Sequence, residues 1–249
     1  MSIKPILFST SMVVAILEGR KTMTRRIVSE KIVDQWLEYD EWQLSVAPAG
    51  STLATPKSFF TSRARCNVGC TIWVRETTYL FGRWAKNGKT KTGKQKYKFV
   101  WNQEYPVLYA ADEKPDKICK GHEEVGYYKR PSIFMPKSAA RIWLKVTGVR
   151  VERVQTITDQ DAIAEGMPDG DDYPVDPVYC QRCRGEGSIG TFHPVTLGFM
   201  EIDCPECETA KMRFKNLWDH LNAKRGYGWA SNPWVWIYSF ERCDKKQEG

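Results

Sequence analysis

Apolar and polar positions along the chain mark out short strands and a few helices. Lys4–Phe8 reads as a short apolar strand. Ser9 or Thr10 can cap a helix over Met12–Glu18, with Met12, Val13, Ile16 and Leu17 on one face; Gly19 suits the left-handed position that ends it. Thr22–Val28 alternates and is β-branched, which predicts a strand, and Thr71–Glu76 predicts another. Residues 83–130 read as an insertion whose tip is the Gly/Lys/Thr-rich run from Lys86 to Lys98, with strands at Tyr97–Trp101 and Val107–Ala110. Ala140–Val154 alternates for long enough to form one long strand or two, with Gly148 as a candidate bulge. Thr158 opens a short helix through Glu165, with Asp161 as a capping-box-like partner. Lys211–Lys224 is amphipathic, carrying Met212, Phe214, Leu217, Trp218 and Leu221, and Trp234–Phe240 is a final aromatic strand. There is no internal repeat. Short strands at irregular spacing with few helices predict an α+β fold built on a mixed barrel rather than a doubly wound sheet.

Composition sharpens this picture in three places. The 249 residues suffice for one good core or two small domains. The net charge of +7 favours a polyanionic partner, and its distribution says more. Six lysines fall between Lys86 and Lys98, whereas from Met167 to Ala210 nine acids, among them Asp171, Asp172, Asp176 and Glu186, face only Arg182 and Arg184. The chain contains no run of apolar residues long enough to cross a membrane. The apolar stretch Ile6–Leu17 is broken by Ser9, Thr10 and Ser11, so it reads as folded structure rather than a leader. Eight cysteines, four of them in CxxC pairs, fit a reducing, cytoplasmic compartment and a metal better than disulfides.

Two constellations carry chemistry. Cys180-Gln-Arg-Cys183 and Cys204-Pro-Glu-Cys207 are separated by twenty residues. Each pair sets two thiolates on one tight turn, and two turns complete the closed tetrahedral geometry of structural zinc. Gly185, Gly187 and Pro205 suit knuckle turns, and the zinc would fold a segment too polar to fold alone. Four free loop thiols are the alternative. Cys66, Cys70, Cys119 and Cys243 are expected to be free. The second constellation is Glu18-Gly19-Arg20-Lys21-Thr22-Met23-Thr24-Arg25-Arg26, where four cations crowd a helix end and the following strand. Crowded cations depress a lysine pKa, so Lys21 can serve as a base. A solvated basic turn fits the same residues.

Four blocks together resemble the ASCH superfamily. Ile16-Leu17-Glu18-Gly19-Arg20-Lys21-Thr22-Met23-Thr24-Arg25-Arg26 is similar to its "ILxGxKTxTxR" signature, and Gly69–Thr77 resembles the "vGDxlwVRET" strand of larger, phage-associated members. Lys145–Arg153 followed by Ile157–Gly166 resembles "xVtgvrverLqdItexdAxxEGi", and Asn232–Glu241 looks like the last barrel strand. Cys70 stands where the family usually has Asp. The resemblance implies a PUA-like barrel over residues 1–166 and 211–249, with a basic hairpin inserted at about 83–130 and a zinc-binding insertion at 167–210. A much shorter bacterial member is an amidohydrolase that removes the acetyl group of 4-acetylcytidine. Its catalytic residues match Lys21, Thr24 and Glu165, and its arginine two residues beyond the threonine matches Arg26; Arg20, Arg25, Trp73 and Glu76 are further substrate-binding candidates of this chain.

Three functions follow as expectations. The first is an amidohydrolase on a modified pyrimidine nucleoside, with Thr24 as nucleophile, Lys21 as base, and Glu165 donating a proton or orienting Lys21. The second is an RNA-binding module in which Arg20, Lys21, Arg25 and Arg26 take phosphates, Trp73 stacks on a base, and the lysine hairpin adds electrostatic attraction. The third is a phage accessory protein that uses its zinc segment to bind a host protein. No membrane partner is expected.

Overall fold

The computed structural model describes residues 3–48, 50–169, 180, 182–184, 188–192, 195 and 198–245. Asp171, Asp172, Asp176, Glu186 and the turn glycines Gly185 and Gly187 lie outside the described residues. The elements run β1 (Ile3–Leu7), α1 (Thr10–Leu17), β2 (Met23–Ile27), α2 (Glu30–Val46), α3 (Pro56–Ser62), β3 (Thr71–Arg75), β4 (Thr78–Lys89), β5 (Gln95–Trp101), β6 (Leu108–Tyr109), β7 (Val125–Arg130), β8 (Trp143–Arg153), α4 (Asp159–Ala164), β9 (Ser188–Phe192), β10 (Phe199–Asp203), α5 (Ala210–Asn222) and β11 (Trp234–Cys243). The fold is mixed α+β. Among the described residues no ladder of strands closes on itself, so the expected closed barrel is not seen. No helix is long and apolar enough to cross a membrane.

The chain divides into two compact units, one comprising Met1–Val14, Thr71–Leu144 and Arg242–Gly249, the other Ala15–Cys70 and Lys145–Glu241. The basic hairpin belongs to the first unit. The cysteine segment falls inside the second.

In the first unit β1 runs parallel to β3. Both are short and carry β-branched or aromatic residues. A core cluster of Trp73, Met135, Ala139, Ala140 and Trp143 packs beneath partly buried Ile3, Trp101 and Tyr109. The insertion is an antiparallel sheet in which β4 pairs with β5 and β6 along one side and with β7 along the other. Lys86–Lys98 forms its hairpin end. A tight turn closes it, with the Thr90 and Lys94 backbones bonded at 2.8 Å. The strand β4 is missed by the sequence pattern because only its first half is buried, while its second half runs into lysines.

In the second unit β2 pairs antiparallel with β11, setting Thr24 opposite Tyr238 and Arg26 opposite Trp236. The helices α2 and α3 fill the stretch after β2. No periodic pattern announces α2, because only Trp36 and Gln43 of its seventeen residues are buried. Trp36 packs edge-on against Phe59 and Phe60 of α3. Thr55 caps α3 in a full capping box with Ser58. In α5 the buried stripe is Ala210, Arg213, Phe214, Leu217, Trp218 and Asn222. Met212 and Leu221, expected on that face, are exposed. At about 100° per residue, Met212 lies far around the helix from Phe214 and Leu217.

Gly82 is the tightest point of the β4–β5 ladder. A Cβ there would lie 2.2 Å from the Val100 carbonyl oxygen and 2.8 Å from the Phe99 ring. The clash is with backbone, which cannot swing away. Gly82→Ala is therefore expected to lower stability by roughly 1–3 kcal/mol, read as an earlier midpoint in urea denaturation. An unchanged midpoint would show that the ladder is looser than this.

Candidate functional site

Lys21, Thr24, Arg25 and Glu165 come together in the second unit, each no more than 4% exposed. The approach begins with backbone. α1 ends in left-handed Gly19, and the Lys21 and Thr22 amides then bond to the Ala15 and Ala164 carbonyls at 2.9 Å each. These bonds lay the start of β2 against the end of α4. Thr158 caps α4, accepting from the Asp161 amide. The second arm of that capping box is missing, because the Asp161 carboxylate is turned to Arg25 and Arg150 instead. α4 stops at Gly166, whose φ is +97°. A Cβ on Gly166 would sit 3.0 Å from the Ala15 side chain and 3.2 Å from that of Lys21. Only glycine combines this dihedral with this approach.

The Lys21 amine donates to the Glu165 carboxylate at 2.7 Å and to the Glu165 backbone carbonyl at 2.6 Å. Arg25 donates to the other Glu165 oxygen at 3.3 Å and bridges to Asp161. Thr24 joins through Arg26, whose guanidinium donates to its hydroxyl at 3.0 Å. So Lys21 and Glu165 meet directly, and Thr24 accepts from Arg26. On the alternating strand Thr24 and Arg26 share a face, as expected, with Tyr238 across the ladder.

The electrostatics follow from burial. The Lys21 amine lies below the ordinary lysine value: desolvation lowers it, Glu165 pulls it back, and Arg26 and Arg25 push it down again. Arg26 is also lowered by burial, opposed by Glu165 and Tyr238, which places it within electrostatic reach of both. Burial raises the Asp161 carboxyl, but Arg150 and Arg25 outweigh it and hold the group low. The Tyr238 hydroxyl is pushed up to about 12, chiefly by burial. Asp161, Arg150 and Tyr238 were missed as site residues. Asp161 shows in sequence only as a cap partner, and Tyr238 only as one aromatic in an aromatic strand.

The other expected residues are placed as follows. Arg20 lies at the solvent edge, paired with Glu18 and donating to the Gly166 carbonyl. Lys21 and Arg25 direct their charges to buried carboxylates, so neither offers a cation to an outside phosphate. Trp73 and Glu76 belong to the first unit. Trp73 is a core ring with the Arg75 guanidinium 5.4 Å from its centre, and it has no face free for a base. Glu76 is 1% exposed and is clamped by Arg141 through two bonds of 3.0 Å. Arg141 also pairs with Asp112 and lies 3.9 Å over Tyr109.

The four paired cysteines form a second cluster in the same unit. Their sulfurs all lie within 4.8 Å of one another, and all four residues are buried. Cys180 and Cys204 sulfurs are 3.8 Å apart, Cys183 and Cys207 3.7 Å. A tetrahedron with metal–sulfur bonds of about 2.3 Å has edges of about 3.8 Å, so the donor set fits one metal ion. Burial and the neighbouring thiols push the Cys207 thiol up, and Cys204 is raised by burial against an opposing Glu206 amide. A bound cation would reverse both shifts. Among the described residues, partly buried Ile189 is the one hydrophobic side chain packed against the cluster, so the described part of the β9–β10 hairpin has almost no apolar core. Arg213 ties it to α5, donating to the Cys207 carbonyl at 2.7 Å and the Pro168 carbonyl at 3.0 Å. Cys66, Cys70, Cys119 and Cys243 form no disulfide among the described residues, and the Cys66 and Cys70 sulfurs approach to 2.7 Å.

Comparison of the chain with family models, with curated proteins and with solved structures found no match.

Two of the shifted groups, Lys21 and Tyr238, make opposite contributions to stability against pH. Lys21 is lowered from 10.5 on folding, so in the window below 10.5 the unfolded chain holds the extra proton and stability rises with pH. Tyr238 is raised from 10.0 to about 12, so between those values the folded chain holds the extra proton and stability falls as pH rises. Denaturation midpoints of Tyr238→Phe should therefore fall less steeply above pH 10 than those of the parent. Parallel curves would place the hydroxyl in water.

Proposed function

We propose that the chain is an amidohydrolase acting on an acylated pyrimidine nucleoside, with Lys21, Thr24 and Glu165 as its reacting groups. The observation that carries this reading is the buried Lys21–Glu165 pair at 2.7 Å, with the amine held below its ordinary value beside the Thr24 strand. Ionisable groups are costly to bury, and a perturbed amine paired with a carboxylate is the arrangement that acid–base chemistry uses. The likeness of the blocks around Lys21 and Glu165 to the ASCH superfamily supports it, together with the PUA-like frame that the likeness implies.

In this mechanism the Thr24 hydroxyl attacks the amide carbonyl and Lys21 takes its proton, directly or through one water. The C–N bond then breaks. The exocyclic nitrogen leaves as a neutral amine, taking a proton from Lys21 or Glu165. Water hydrolyses the threonine ester, releasing the carboxylic acid and restoring the hydroxyl. Arg26, already bonded to the Thr24 oxygen, is placed to steady negative charge developing beside it. The cluster is closed, so a substrate enters only after side chains at its rim part. Arg20 and Glu18, about half exposed, form the solvent edge.

The test is incubation with 4-acetylcytidine and related acylated nucleosides, followed by chromatography. Free nucleoside should accumulate, and Thr24→Ala should slow its release by roughly a thousandfold or more with the fold intact. Full activity in Thr24→Ala, or inertness of every acylated nucleoside, would remove the hydrolase reading.

The cysteine cluster reads as a structural zinc site, since four thiolates leave no open position for water. Elemental analysis of protein purified without added metal should find about one zinc per chain. Chelation should unfold the β9–β10 hairpin, because its fold draws on the metal. Protein that is metal-free as purified yet keeps this hairpin folded would refute the assignment.

A further inference from the structure

One face of the β4 sheet in the first unit is open over part of its length: Tyr79 on it is buried, whereas Val100 and Val125 are exposed. β4 lies between β5 and β7, so register decides which side chains share that face. Phe81 and Arg83 come from β4, Lys98 and Val100 from β5, and Val125, Tyr127 and Lys129 from β7. Each of the three strands thus contributes one cation, and the apolar side chains lie between them. Val100 on β5 is 44% exposed and Val125 at the start of β7 is 64% exposed. Tyr105, 43% exposed, stacks on Phe81 at 3.7 Å and 12°, and Tyr127 meets the same ring edge-on at 5.3 Å. Two open cavities share Phe81 and Val125. The larger, about 780 Å³, is lined by Arg83, Val100, Asn102 and Gln103 as well. The smaller, about 450 Å³, is lined also by Lys114, Lys117 and Tyr127.

Charge singles out the occupant. Between Arg83 and Asn102 the chain carries Arg83 and six lysines and no acid. Among the described residues, none of these seven cations, nor Lys129, forms an ion pair. Carboxylates line the cavities, Glu104 the larger and Glu113 and Asp116 the smaller, and Glu124 beside them pairs with Lys117. A ligand that fits therefore has a continuous anionic backbone to follow the hairpin. It also has flat groups with amino donors to enter the cavities, where Phe81, Trp101 and the Gln103 amide meet them in the larger and Phe81 and Tyr127 in the smaller.

We propose that this sheet face binds a single strand of nucleic acid, its phosphates along the β4–β5 hairpin and its bases against Tyr105 and the two cavities. A duplex hides the faces of its bases in its own stack and offers nothing to Tyr105. An acidic peptide or an anionic membrane satisfies the cations but not the aromatic cavities. The site is separate from the Lys21 cluster and does not rest on the hydrolase reading.

The test is fluorescence anisotropy of the full chain with a short labelled oligouridylate, the matching single-stranded DNA, a duplex of the same length and polyglutamate, each at several salt concentrations. The single strands should bind about tenfold or more tighter than duplex or polyglutamate. A preference between RNA and DNA identifies the source of the strand, and tight binding of either supports the site. Arg83→Ser, Lys98→Ser and Lys129→Ser combined should reduce the salt slope by about 2. Tyr105→Ala should weaken binding by about tenfold with the slope unchanged. If Tyr105→Ala does not fold, Gln103→Ala takes its place, with a smaller loss in the same direction. Equal binding of polyglutamate and single strands, or no binding at low salt, overturns the proposal, as does a charge-reduced variant with an unchanged slope. The charge-reduced variant should turn over acylated nucleosides as the parent does, which keeps a failure of this site distinct from a failure of the Lys21 reading.

Discussion

The second unit is arranged around one costly contact, the buried ion pair between Lys21 and Glu165. Two charges taken out of water lose several kcal/mol each of hydration, and only close geometry with further hydrogen bonds offsets that loss. The structure supplies both. Lys21 also bonds the backbone carbonyl at the end of α4, and Arg25 takes the second oxygen of Glu165. Those bonds require α4 to end where it does. That ending requires Gly166, and Gly166 in turn lets α1 and Lys21 approach. Breaking the pair from one side would leave the other charge stranded, at about 3–5 kcal/mol. A pair of well-packed apolar side chains would do the structural job at no such risk, and this is the physical reason for assigning the pair a chemical role.

The cysteine segment answers the opposite problem. Among its described residues it has four buried sulfurs and little else to pack. Where the Lys21 cluster is held by interlocking charges, this hairpin depends on one multivalent centre and on the Arg213 bonds to its backbone. The two clusters share α5 as a common support, since Phe214 packs over Arg25 at 5.7 Å while Arg213 holds the cysteine loop.

Local pattern made much of this legible. The alternation at Thr22–Val28 and Trp234–Phe240 identifies β2 and β11, and CxxC spacing alone identifies the four sulfurs that converge. The pairing of Lys21 with Glu165 spans 144 residues and leaves no periodic trace; only the likeness of two distant blocks to one family pointed to it. Three things stayed hidden for physical reasons. α2 buries too little to show a stripe. Asp161 looks like a simple cap residue, although its carboxylate bridges Arg25 and Arg150. Trp73 looks like a stacking ring, yet packing buries it, because an exposed base platform and a core tryptophan have the same sequence signature. The open aromatic face of the β4–β5–β7 sheet needed the register of three strands before its residues could be seen as neighbours.

The central claim is that Lys21 is a buried amine held below the ordinary lysine value beside Glu165, as the proposed base role requires. Its side-chain nitrogen can be followed directly by NMR on lysine-labelled protein, with Lys21→Arg assigning the signal. The account predicts that this one amine titrates clearly below 10.5, apart from the surface lysines, and that Glu165→Gln moves it lower still by removing the partner that favours its charge. A Lys21 signal that titrates at or above 10.5 together with the surface lysines, and is unmoved by Glu165→Gln, would contradict the account.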